Sequence, residues 1–374
     1  MDDKACKRVG ILTSGGDAPG MNAAVRAAAM LLHTAGCEVL GVKRGYRGVL
    51  DGDFEPLLPE HVAGIIREGG TVLGSARCLE FMERAGRDRG RRNLAEAGVD
   101  GLVAIGGNGT LTGAAALTDP GELGGQRLQV VGLPASIDND IGLTGMAIGV
   151  DTAMNTIVDA CDKISDTASA HDRTFLVEVM GRDCGYLAMT SAVAAAADAV
   201  LFPEAGKSVD DLVGTVIKAV GKARKRGPHR TKRVLVIVAE GAGISLQEMK
   251  GRIGERLRRE MGEASAMQVE TRVTVLGHVV RGGRPSAFDR LLANRLAHVA
   301  VRSLLKGQTR KMAAWMLPGE LPGGVAERSA DDPYCWLVDL EAVLAETARL
   351  LDGTSPLVQW RRRVFEEVED VLAT

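Results

Sequence analysis

Short apolar runs alternate with longer segments of helical period along almost the whole chain. The runs at 9–12, 101–105, 128–133, 174–179, 234–239 and 273–276 are short and mostly apolar, the pattern of buried strands. Most end directly on glycine, proline or a carboxylate. Between them the pattern predicts helices, including 21–32 and 150–164. The second places Val150, Met154, Ile157, Val158, Cys161 and Ile164 on one stripe. A last amphipathic helix is predicted after Ser355, with Trp360, Val364, Val368 and Val371 facing one way. Strand followed by helix throughout predicts the α/β class, with largely parallel sheets and right-handed crossovers.

The pattern divides into a unit ending near residue 149 and a second unit covering roughly 150–279. The stretch 317–324, rich in glycine and proline, reads as a loop. No internal repeat or low-complexity segment stands out.

Composition narrows the class. With 374 residues, 45% apolar and 25% charged, the chain has the profile of a soluble globular protein of two domains. Aromatic residues are only 3%, so aliphatic side chains and alanine must fill the core. The 47 glycines gather at the ends of apolar runs, where turns need a permissive backbone. A net charge of -2 argues against nucleic acid or a membrane surface as partner. The six cysteines are scattered, with no C-x-x-C pair or Cys/His cluster, which points away from zinc and toward a reduced, cytoplasmic interior. No apolar run approaches the ~18 residues of a membrane span.

Candidate chemistry lies where runs end. "TSGGDAPGMNAAVRAA" follows the first run and opens a helix, so its backbone N–H groups form an anion cradle or a tight packing turn. "GGNGT" repeats the arrangement at 106–110, and it is not a Walker A loop because no Lys follows the last glycine. "PASIDND" carries Asp138 and Asp140. Hydroxyl-to-phosphate transfer needs one carboxylate for the proton and another toward Mg²⁺; the plainer reading is an Asx-rich turn. Arg173, Arg182, Arg272, His278 and Arg281 flank further runs, where guanidinium forks suit a phosphorylated substrate or ordinary salt bridges. Glu240 ends another run as ligand or helix cap. The basic run at 222–233 reads as a solvated helix end and loop, or as a phosphate effector site.

The motifs "GGDAPGMNAAVR", "GGTVLGSAR", "IGGNGT", "PASIDND", "MGRDCGYLA" and "TVLGHVVRGGRPSAFDR", in this order, resemble those of the bacterial-type 6-phosphofructokinases. The resemblance runs to about residue 305. It implies two Rossmann-like αβα domains with the active site in the cleft between them. Residues 1–149 and about 280–330 would form the nucleotide-binding domain and 150–279 the sugar-phosphate domain, leaving 331–374 as an extension without an assigned role. The implied reaction moves the γ-phosphoryl of ATP to the 1-hydroxyl of fructose 6-phosphate, with Mg²⁺. Asp138 takes the role of base, and Arg182 steadies the phosphoryl group in flight. Ser136, Asp138, Arg173, Met180, Gly181, Arg182, Glu240, Arg272, His278 and Arg281 match the sugar-phosphate side. Gly15, Tyr46, Arg77, Cys78, Gly107, Asn108, Gly109 and Thr110 match the nucleotide side, and Asn108 and Asp140 the metal. In the family tetramer the equivalents of Arg173 and Arg272 reach in from a neighbouring subunit, which implies a homo-oligomer.

The departures from that family pattern carry their own expectations. Asn108 stands where the family usually has an Asp on the metal side. Small residues at Gly109 and Ala135 leave room for the α-phosphate of a nucleotide and so favour ATP over pyrophosphate. Arg26 matches an effector-site arginine, whereas Met30, Pro59 and Ser165 replace three others. A pyrophosphate-dependent enzyme and a non-catalytic metabolite sensor are the competing readings.

Overall fold

The computed structural model describes residues 7–122, 128–227, 231–316 and 325–372, with side chains throughout except at 265 and 366–372. Cys6, the loop predicted at 317–324, residues 228–230 of the basic run, and the side chains of Val368 and Val371 lie outside the described residues. In chain order the strands are β1 (Arg8–Ser14), β2 (Glu38–Val42), β3 (Phe54–Pro56), β4 (Gly101–Gly106), β5 (Gln129–Pro134), β6 (Thr174–Val179), β7 (Ala199–Leu201), β8 (Val234–Ala239), β9 (Thr271–Val275), β10 (Lys311–Trp315), β11 (Ala326–Arg328) and β12 (Cys335–Asp339). The chain forms two compact units, residues 1–152 with 281–350 and residues 153–280 with 351–374.

The first unit is built on an eight-stranded sheet of order β11-β12-β10-β5-β4-β1-β2-β3. Its centre is parallel and continuously buried: every residue of β4 and β5 is hidden, as their apolar runs predict. The edges differ. β3 runs antiparallel to β2, and β12 antiparallel to both β10 and β11. From β1 the chain moves outward to β2 and β3, then returns to the other side of β1 as β4, so a topological switch point lies between β1 and β4. The helix Ala287–Leu305 packs on the helix Met21–Thr34, which fixes the returning segment to the first unit. Asp289, fully buried, accepts from Gly149 N and Thr152 N at 2.8 Å each and from the Thr152 hydroxyl at 2.5 Å. Burial pushes its carboxyl above the usual carboxylate range, opposed by those three hydrogen bonds.

The second unit holds a four-stranded, wholly parallel sheet of order β7-β8-β6-β9. The helices Val209–Arg224 and Leu246–Met261 bury Leu212, Val216, Val220, Met249, Ile253 and Leu257 against it. Each helix opens on a serine, Ser208 and Ser245, whose side chain accepts from the backbone N–H three residues on. Of the basic run, Arg226 and Arg233 both pair with Asp198, which is only 4% exposed, so these two cations are committed to the fold.

The stretch after residue 330 divides: β12 and the helix Leu340–Leu351 complete the first sheet, and the helix Pro356–Leu372 lies on the second unit. That last helix departs from the predicted stripe. Trp360 is 54% exposed, and the buried positions are Val358 and Arg361. The cause is a cation–π contact: the Arg361 guanidinium lies 4.7 Å from the centre of the Tyr186 ring, so a charged residue takes the inner face.

Candidate functional site

In the first unit, β1, β4 and β5 end in register, with Ser14 opposite Gly106 and Gly106 opposite Pro134. The three turns that follow therefore leave neighbouring strands at the same edge, beside the switch point where α/β sheets gather ligands. At the first turn Gly15 has φ 82°, a left-handed conformation that favours glycine. Gly16 leaves space for the Arg281 guanidinium, since a Cβ there would stand 2.6 Å from Nη1. The same Nη1 donates to Asp17 O at 3.1 Å. A strap from residue 68 to 75 closes over this turn: Asn22 donates to Glu68 O and Gly69 O and accepts from Val72 N, while Ser75 Oγ donates to Gly15 O at 2.6 Å. Arg77, exposed, and Cys78, half-buried, follow the strap.

At the second turn the helix Asn108–Leu117 starts without any side-chain cap. Its first N–H groups are thus arranged as an anion cradle. Gly109 is exposed, and a Cβ there would meet nothing within 4 Å. Thr110 and Tyr46 serve the fold of this turn: Thr110 Oγ1 donates to Ser14 O at 2.9 Å, and Tyr46 Oη donates to Thr110 O at 2.5 Å. Tyr46 also stacks on Phe81 at 4.2 Å, and burial raises its phenol pKa. Gly107 faces the third turn, its Cβ position 3.9 Å from Ser136 Oγ.

The third turn alternates. Ala135, Ile137, Asn139 and Ile141 are buried, whereas Ser136, Asp138 and Asp140 are half-exposed. The hydroxyl and both carboxylates are therefore presented on one side of the loop. Ser136 Oγ donates to Asp140 Oδ1 at 2.8 Å and orients that carboxylate. Asn139 is the residue that sequence reasoning missed. With φ 51° it turns the chain, and its amide donates to Gly145 O and accepts from Ala147 N, tying the loop to its own exit. The alternation of Ile137 and Ile141 around an inward polar residue was the available signal. Ala135 is 1% exposed, so of the two small residues only Gly109 opens onto space.

Among the described residues no group of three or more His, Cys, Asp or Glu is arranged to hold a metal ion. Asp140 and the Asn108 amide are hard oxygen donors in neighbouring turns. They fit a Mg²⁺ that takes one or two protein ligands and draws the rest from phosphate and water.

In the second unit, β6, β8 and β9 bring Met180, Gly181, Arg182, Glu240 and His278 to one edge. Gly181 has φ 125°, and a Cβ on Gly241 would lie 1.8 Å from Arg182 O, so two turns pass each other where no side chain fits. Arg182, Glu240 and His278 are exposed and Met180 is buried. Burial raises the pKa of Glu178, and the neighbouring charge of Glu240 raises it further. Arg173 and Arg272 are not brought to this edge. They sit at the start of β6 and β9, roughly 20 Å away along the strands, and both pair with Glu270.

The Phosphofructokinase family model matches residues 8–304. The ATP-dependent 6-phosphofructokinase of Thermotoga neapolitana is 45% identical over 308 residues, 82% of this chain and 89% of that one. That of Bacillus pumilus is 46% identical over 303 residues, 81% of this chain and 87% of that one. Among solved structures, Pichia pastoris phosphofructokinase in the T-state superposes with a TM-score of 0.80 at 33% identity, covering 97% of this chain but 40% of the longer yeast chain. The pyrophosphate-dependent phosphofructokinase of Marinobacter aquaeolei shares the fold, with a TM-score of 0.72 at 19% identity over 90% of this chain and 83% of its own. With these matches added to its glycine turns and carboxylate loop, the chain belongs to the phosphofructokinase family.

Proposed function

We infer that the chain is an ATP-dependent 6-phosphofructokinase, moving the γ-phosphoryl of ATP to the 1-hydroxyl of fructose 6-phosphate. The observation that carries this reading is the shared edge of β1, β4 and β5, where two glycine turns and a loop bearing Asp138 and Asp140 leave adjacent strands. Asp138 takes the proton of the sugar hydroxyl as its oxygen bonds to phosphorus and the bond to ADP breaks. Backbone N–H groups of the two turns hold phosphate oxygens, and the Arg281 guanidinium adds charge at the first turn. Mg²⁺, held by Asp140 and Asn108, would offset the charge of the phosphate oxygens. Met180, Gly181, Arg182, Glu240 and His278 bind the sugar phosphate, and Arg182 also meets the charge of the phosphoryl group in flight. Gly15, Arg77, Cys78, Gly107, Gly109 and Thr110 shape the nucleotide side, with Tyr46 as the buried prop behind Thr110.

Arg173 and Arg272 enter this scheme from a second copy of the chain. Their position at the far end of β6 and β9 from Met180 and Glu240 supports a homo-oligomer. A cytoplasmic setting agrees with Cys37, Cys78, Cys161, Cys184 and Cys335 standing outside any disulfide. The test is a coupled assay of fructose 6-phosphate turnover with ATP and then with pyrophosphate, alongside the molar mass in solution. Turnover with ATP is expected; preference for pyrophosphate, or no turnover with either, overturns the reading.

A further inference from the structure

We propose that the last helix, Pro356–Leu372, braces the turn that carries Met180, Gly181 and Arg182, with Arg361 as the positioning residue. The proposal rests on the reading that this turn takes the sugar phosphate. The helix lies wholly beyond the residues 8–304 matched by the family model.

The contacts run in a short series from the helix to the turn. Arg361 is 7% exposed, and its guanidinium lies 4.7 Å from the centre of the Tyr186 ring. Its Nη1 donates to Cys184 Sγ at 3.8 Å. One turn further along, Phe365 meets Phe202 edge-on at 6.0 Å. Cys184 and Tyr186 belong to the same "MGRDCGYLA" segment as the binding turn, and they bracket Gly185. Gly185 N donates to both oxygens of Glu204, at 2.8 and 2.9 Å, and a Cβ there would lie 2.5 Å from that of Phe202. The other end of the segment is equally confined: a Cβ on Gly181 would stand 2.5 Å from Cys184 O. The carbonyl of Cys184 and the backbone of Gly181 thus share one close contact, while the side chain of Cys184 rests on Arg361. A shift at Arg361 is passed directly to the turn.

The energetic logic favours a placed arginine over a merely apolar filler. A guanidinium hidden from water on a ring face holds its partner at a defined distance and angle, whereas an aliphatic contact tolerates sliding. Apolar anchoring of the helix is already supplied by Val358 and by Phe365 on Phe202. The buried charge is therefore left to orient the segment that holds Cys184 and Tyr186.

The experiment compares the full-length wild type with Arg361→Ala, Arg361→Lys, Tyr186→Leu and the Arg361→Ala/Tyr186→Leu double variant, assayed with ATP and fructose 6-phosphate. The expected result is a split: KM for fructose 6-phosphate rises about ten-fold in Arg361→Ala, while KM for ATP stays at the wild-type value. Arg361→Lys keeps the cation and recovers most of the affinity. Tyr186→Leu reproduces the alanine effect, and the double variant adds nothing to it, because the two side chains act as one unit. Thermal unfolding of each variant separates this from simple destabilisation. Equal rises in both KM values, or a lowered melting temperature with unchanged KM for fructose 6-phosphate, overturns the brace. A wild type that turns over no fructose 6-phosphate instead overturns the functional reading on which it rests.

Discussion

Asn139 holds Ala147: its Oδ1 accepts from Ala147 N at 3.0 Å, across the loop that presents Ser136, Asp138 and Asp140. The same side chain donates to Gly145 O at 3.1 Å. Asn139→Ala removes both bonds and leaves a buried N–H and a carbonyl without that partner, a loss of about 1–3 kcal/mol for such groups. The left-handed backbone, φ 51°, is also poorer for alanine than for asparagine. Chemical denaturation should show the lowered stability. Turnover should fall as well, because the two carboxylates lose their fixed position; full activity in a destabilised variant would separate the loop's shape from catalysis.

Asp138→Asn keeps the size of the side chain and removes its capacity to take a proton. Turnover should fall by ~10²–10⁴-fold, the usual contribution of a general base. The KM for ATP and the melting temperature should change little. Steady-state kinetics at saturating substrates give the answer, and a near-normal kcat would remove Asp138 from the role.

Asn108→Asp places a carboxylate at the first position of the helix Asn108–Leu117, whose N-terminal end has no side-chain cap. Two effects should follow in the same direction. The half-saturating concentration of Mg²⁺ should fall, because the ion gains a charged ligand. The helix N-terminus should also be stabilised by about 0.3–1 kcal/mol through its dipole. A Mg²⁺ titration of kcat and a thermal melt without nucleotide measure the two separately. An unchanged Mg²⁺ requirement would place residue 108 away from the metal.

Glu122 has its carboxyl held down to about 2 by hydrogen bonds from Arg87 and then Arg91, against an ordinary value of 4.5. Its native pKa lies below its unfolded one, so the stability it contributes is complete above about pH 4.5 and is lost as pH falls toward 2. Glu122→Gln removes that linkage. The stability gap between wild type and variant should therefore narrow steadily through this window, as read by urea unfolding at a series of pH values. A gap independent of pH would mean the pairs contribute shape alone.

The centre of the first sheet and most of the second were legible in the sequence because a strand buried on both faces is almost wholly apolar, as β4, β5 and β8 are. The strands β2, β3, β7 and β11 were not. β2 carries Glu38 on an exposed end, and β3, β7 and β11 are only three residues long, so none gives a periodic signal. The glycine turns and Asp138 were visible because strand ends concentrate them. The run 174–179 already put Arg173 before a strand and Met180 after it, whereas the common end shared by Arg173 and Arg272 needed the parallel register of β6 with β9. Asn139 and Arg361 escaped for a common reason: each is a polar residue on an inward face, and its partner is fixed only by the tertiary fold.

The first unit is sewn from two lengths of chain, 1–152 and 281–350, and 153–280 comes between them in the sequence. During synthesis this imposes a schedule. When residue 280 leaves the ribosome, every strand of the second unit has been made, yet β5 still lacks its neighbour β10 and Asp289 has not arrived to meet Gly149 and Thr152. An apolar parallel strand waits with one bare edge for well over a hundred residues of elongation, the condition in which strands pair with the wrong chain. A nascent chain of this protein thus depends on its ribosome being quick, or on a chaperone being near, between residue 134 and residue 315.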